Sequence, residues 1–114
     1  RYIDSTVAYQ GYGRGIDISN INSLNDMAVN KVYPDLTFIF DIEVKTSLKR
    51  LESKRKDRME QVDENFILKV RNGYLDLAKN YDRCVIVDCN HKNIIEINEI
   101  LVKKINSKFE KVLI

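Results

Sequence analysis

At 114 residues the chain holds at most one domain. Hydrophobic residues make up 44% and charged residues 32%, which excludes a disordered or low-complexity chain. The net charge of +2 is too small to imply nucleic-acid binding by itself, and no apolar run approaches the roughly 18 residues of a membrane span.

Residues 1–15 are rich in special side chains: Arg1 and Arg14, Tyr2, Tyr9 and Tyr12, the adjacent hydroxyls Ser5 and Thr6, Gln10, and three glycines. The Gly11-x-Gly13-x-Gly15 spacing is not that of a phosphate loop and predicts a flexible turn behind a helix. Ile18, Ile21, Leu24 and Ala28 recur at helical spacing and predict an amphipathic helix over 18–30. Pro34-Asp35 marks a turn. The near-continuous apolar runs Leu36–Phe40 and Cys84–Val87, ending at Asp41 and Asp88, predict strands of a parallel sheet buried on both faces. Between them, Val44, Leu48 and Leu51 predict a helix over 43–55. Asp63 is the expected N-cap of a long helix to about Asn80, with Phe66, Val70, Tyr74 and Leu77 on its inner stripe. A last helix over 92–107 is expected to turn Ile94, Ile97, Leu101 and Ile105 inward.

Cys84 and Cys89 are five residues apart, on opposite faces of a strand, so no intrachain disulfide is expected. Two cysteines without a signal-peptide pattern predict a reducing, cytoplasmic setting. His91 reads as a solvated residue of a polar turn.

The order helix, strand, two helices, strand, helix describes an α/β unit with a right-handed crossover. Two parallel strands make a poor sheet, because both faces and both edges need cover. The expectation is therefore a single partial domain over 1–114, the C-terminal half of a parallel sheet flanked by helices, wanting about three further strands. Alone it should expose apolar edge and faces and self-associate. Opening on Arg1 rather than Met agrees with that expectation.

Two segments carry chemistry. In the first, Arg1 can fork onto a phosphate, and Ser5, Thr6 and Gln10 can match the alternating acceptors and donors of a pyrimidine edge. Tyr9 returns to the helical face of Ser5 and Thr6, where a ring could pack on a deoxyribose. The second segment, residues 45–58, has seven basic residues against two acids, so the rest of the chain is net acidic. A mobile basic lid would suit phosphoryl transfer, which spreads negative charge over equatorial oxygens. A solvated helix face or a nucleic-acid patch would have the same charge. No aromatics interleave the run, which speaks against nucleic acid.

Both segments resemble thymidylate kinases. Arg1-Tyr2 followed by Ser5-Thr6 and Ala8-Tyr9-Gln10 is similar to the family's monophosphate-binding pattern, and Arg14 also matches its bacterial form. Leu48-Lys49-Arg50 resembles the family's Leu-x-Arg, and Asp57-Arg58-Met59-Glu60-Gln61 resembles the end of the bacterial lid, about 50–61. Arg71-Asn72-Gly73-Tyr74-Leu75-Asp76-Leu77-Ala78 resembles a family helix and reads as packing. Two stretches depart from the pattern: the lid lacks glycine and is about one residue short, and after the strand-end Asp41, Val44 stands where Pro is common.

The resemblance implies a P-loop kinase-type fold and the phosphorylation of dTMP to dTDP by ATP with Mg²⁺. It implies Arg1 on the dTMP phosphate, with Ser5, Thr6 and Gln10 reading the base and Tyr9 disfavouring ribose. Arg50 would lie near ATP, and Arg58, then Arg55, would be catalytic. It also implies a homodimer, to which residues 18–30 could contribute. No Gly-x-x-x-x-Gly-Lys-Ser/Thr occurs, so these residues alone are expected to lack kinase activity. The alternatives are another deoxynucleotide monophosphate kinase, or a non-enzymatic basic interaction module.

Overall fold

The computed structural model describes residues 2–54 and 64–109. The two apolar runs become β1 (Thr37–Asp41) and β2 (Cys84–Asp88). They pair in parallel, with Thr37 opposite Cys84 and Asp41 opposite Asp88.

The first segment opens as a short helix, α1 (Ile3–Thr6), and widens at once into a π-helix, Val7–Gly13. Its wider turn shows in the hydrogen bond from the Arg14 N–H to the Tyr9 carbonyl at 3.0 Å. α2 (Ile18–Val29) starts on Asp17, whose carboxylate accepts the Ser19 N–H at 2.8 Å. It ends on Asn30 in the left-handed conformation. α3 (Val44–Lys54) follows β1, and α4 (Glu64–Asn80) leads back towards β2. The expected cap Asp63 lies outside the described residues, as does the side chain of Leu51. α5 (Ile94–Lys108) starts with a capping box in which Asn93 and Glu96 exchange side-chain and backbone hydrogen bonds.

α4 is the centre of the packing. Its Val70 and Leu77 join Val7, Ala8, Ile21, Ile39 and Cys84 in one buried cluster, with Phe66, Tyr74, Tyr9 and Tyr12 against it. The inner stripe expected of α4 is thus observed. Both cysteines are buried and free.

Three expectations are corrected. Gly11 and Gly13 belong to the π-helix rather than to a flexible turn. A Cβ at Gly11 would lie 3.1 Å from Ile18, and one at Gly13 only 2.8 Å from the Phe66 ring. Both are glycine because neighbouring side chains fill the Cβ space. Only Gly15, at φ +78°, behaves as a turn residue. Second, the strands are not buried on both faces, as their apolar runs predicted, but are open as expected of a partial sheet alone: Phe40 is 58% exposed, and Ile86 is also exposed. One layer of helices cannot cover two faces of a two-stranded sheet.

Third, the apolar stripes of α2 and α5 are only partly used. α2 buries Ile21 and Val29 but leaves Leu24 66% exposed and Ala28 exposed too. No residue of α5 is fully buried, and Ile94 is 86% exposed. A first-turn side chain leans back past the helix end, where no element receives it.

Candidate active site

Asp4 is buried at the N-terminal ends of the strands and carries most of the local hydrogen bonding. Its Oδ1 accepts from Arg83 Nη2 at 2.7 Å, and its Oδ2 accepts from the Thr37 hydroxyl at 3.1 Å and the Cys84 thiol at 3.5 Å. Arg83 in turn stacks over the Tyr81 ring at 4.4 Å. Burial, and next the Asp4 charge, push the Cys84 thiol up to about 11. A cavity of about 350 Å³ lies beside this knot, lined by polar groups that include Asn22, Asn25 and Asn80.

Asp41, at the C-terminal end of β1, accepts two hydrogen bonds from the Arg71 guanidinium, Nε to Oδ1 at 2.8 Å and Nη2 to Oδ2 at 3.1 Å. The Asp41 carboxylate holds the Arg71 guanidinium above its ordinary pKa. Its backbone carbonyl accepts the Cys89 N–H at 2.9 Å, and the Glu43 N–H donates to Asn90 Oδ1 at 3.0 Å. The loops that leave the two strands are thereby tied together. A smaller cavity of about 110 Å³ opens here, lined by Tyr9, Asp41, Val44, Ser47, Arg71 and Tyr74 among others. The C-terminal ends of parallel strands are where open α/β sheets bind ligands.

Between these two ends runs the segment that the sequence singled out. The Tyr74 hydroxyl donates to Ser5 Oγ at 2.8 Å. The Tyr9 ring meets Tyr74 edge-on and Phe66 at a tilt, with centroids 6.2 Å apart in both pairs. Ser5 and Tyr9 are thus brought against one residue of α4. Thr6 is exposed on the adjoining face, and Gln10 is half-buried. Arg14 lies over the Phe66 ring at 5.3 Å. Arg50 is exposed on α3, close enough for its charge to act on the Cys89 thiol at the end of β2. Arg1, Arg55 and Arg58 lie outside the described residues.

A model of the family described as thymidylate kinase matches residues 1–101. The chain belongs to the thymidylate kinase family. A thymidylate kinase of Sulfurihydrogenibium is 46% identical over 109 residues, spanning 95% of this chain and 52% of that protein. One from Thermosipho africanus is 43% identical over 88 residues, spanning 77% and 44%. A crystal structure of thymidylate kinase from Ehrlichia chaffeensis superposes with a TM-score of 0.65 at 36% identity, covering 93% of this chain and 46% of that one. The α/β arrangement expected for the family is the one observed, and the chain spans about half the length of the relatives it matches.

Sequence reasoning missed the long-range contacts of Asp4, Asp41 and Tyr74. Asp4 left a trace: it stands three and four residues before the buried Val7 and Ala8, on the same helical face. An acid on a buried face requires a partner. Nothing in the spacing named Arg83 as that partner.

Proposed function

We propose that this chain supplies the monophosphate-facing half of a kinase that transfers the γ-phosphoryl group of ATP to dTMP, giving dTDP. Family membership supports the reading, and one observation carries it. Ser5 and Tyr9, from the family-type run, share contacts with Tyr74 beside a cavity at the C-terminal end of β1. In this reading Arg1 grips the dTMP phosphate, and Ser5, Thr6 and Gln10 meet the thymine edge. The Tyr9 ring packs on the deoxyribose, where a 2′-hydroxyl would collide. Arg58, with Arg55 as second candidate, neutralises charge that develops on the moving phosphoryl group, and Arg50 lies beside ATP.

Among the described residues no group of three or more His, Cys, Asp or Glu side chains could hold a metal ion. In this reading Mg²⁺ enters on the phosphates of ATP, and none of this chain's residues is assigned to it. No helix of the described residues is long and apolar enough to cross a membrane. The family resemblance carries the further reading of a cytoplasmic enzyme acting as a homodimer.

A substrate panel on the complete kinase that carries these residues tests the proposal. Expected is dTDP formation with dTMP preferred over dUMP, dCMP, dAMP and dGMP. Preference for another base overturns it. The 114-residue chain by itself is expected to form no dTDP, because it has no phosphate-loop motif.

A further inference from the structure

The motif around Tyr74 reads in sequence as helix packing, but its hydroxyl reaches Ser5, sixty-nine positions earlier. We propose that Tyr74 is a positioning residue for nucleotide selection, acting on the base through Ser5 and on the sugar through Tyr9. The inference rests on the reading of Ser5 and Tyr9 as base and sugar contacts.

A serine hydroxyl has one proton to give and two lone pairs to receive. The phenol is the more acidic partner, so it donates at 2.8 Å. Ser5 then keeps its own proton for an outside acceptor, such as a carbonyl of the base. Without the phenol, Oγ is free to rotate among its staggered positions and to turn back onto a carbonyl of the preceding helical turn. The Tyr9 ring is confined from the same helix. Tyr74 meets it edge-on at an interplanar angle of 82°, and Phe66 closes it at 55°.

Tyr74 is itself held. Arg71, one helical turn before it, is fastened by two hydrogen bonds to Asp41 at the end of β1. α4 therefore cannot slide along the sheet without losing that pair. One helix thus sets both contacts, the one that Ser5 offers to the base and the one that Tyr9 offers to the sugar.

A double-mutant cycle on the complete kinase separates this role from simple packing. Tyr74→Phe removes only the hydroxyl. It should raise KM for dTMP about fivefold, the effect of one lost neutral hydrogen bond, with kcat within about twofold. Ser5→Ala should have an effect of similar size, and Ser5→Ala with Tyr74→Phe no more than Ser5→Ala alone. Tyr74→Leu removes the ring as well and should narrow the preference for dTMP over ribothymidine monophosphate, a preference that Tyr74→Phe retains. Additive effects of Ser5→Ala and Tyr74→Phe, or an unchanged KM, overturn the role through Ser5. An unchanged deoxyribose preference in Tyr74→Leu overturns the role through Tyr9. If the unaltered kinase makes no dTDP, the function itself is wrong, and this role falls with it.

Discussion

Asp4 and Cys84 form a buried acid–thiol contact whose cost appears on the alkaline side. The thiol is pushed from an ordinary 9.0 to about 11, by burial first and then by the Asp4 charge. An unfolded chain gives up that proton near pH 9, whereas the folded one keeps it to about 11. The stabilisation is therefore complete below pH 9 and disappears as pH rises towards 11, a loss on the order of 2 kcal/mol. Urea midpoints at pH 8 and pH 11 should show the fall, with a smaller fall in Cys84→Ala. Equal falls would mean that other groups titrate instead. The same burial makes Cys84 unreactive, since the thiolate is the nucleophile.

At the scale of elements, the decisive joint is that of α4 with the π-helix. Gly73 lies where the two meet, and a Cβ there would come within 2.7 Å of the Tyr12 ring. Tyr12 cannot easily swing aside, because its hydroxyl donates to Asp76 at 3.0 Å. A helix-interior glycine ordinarily costs about 1 kcal/mol relative to alanine, so Gly73→Ala on an open helix would stabilise. In this joint the clash should win, and Gly73→Ala should destabilise by about 1–3 kcal/mol. A thermal melt decides the sign: a higher Tm would mean that the ring yields at little cost. The motif around Gly73 was visible in the sequence as packing, and that much was right. That its glycine serves a ring from the opening segment was not visible, because Tyr12 lies sixty-one positions away and no spacing rule reaches so far.

Across the whole molecule, the apolar surface is larger than two strands and their helices can bury. Leu24, Met27, Phe40, Ile86, Ile94 and Ile95 are all exposed. Monomeric soluble proteins rarely leave contiguous apolar patches larger than a few hundred Å². The 114-residue chain by itself should therefore associate, with a sedimentation coefficient that rises with concentration. Leu24→Glu with Met27→Glu should weaken that association if α2 contributes. A chain that remains monomeric at high concentration would refute the expectation.

The sequence by itself determined the order of the elements, the parallel pairing of the two strands and the family motifs. These depend on local matters: the 3.6-residue period, the short β-branched runs, and side chains close along the chain. Even Asp17 and Asn93, unnoticed as caps, act within three residues of themselves and were legible in principle. The tertiary structure alone decided that Gly11 and Gly13 are packed rather than loose, that Asp4 finds Arg83, and that Tyr74 holds Ser5 and Tyr9. It also decided which faces stay open, through the number of layers present to cover them. Such contacts join residues dozens of positions apart, and their partners are chosen by the packing of helix on sheet rather than by any pattern along the chain.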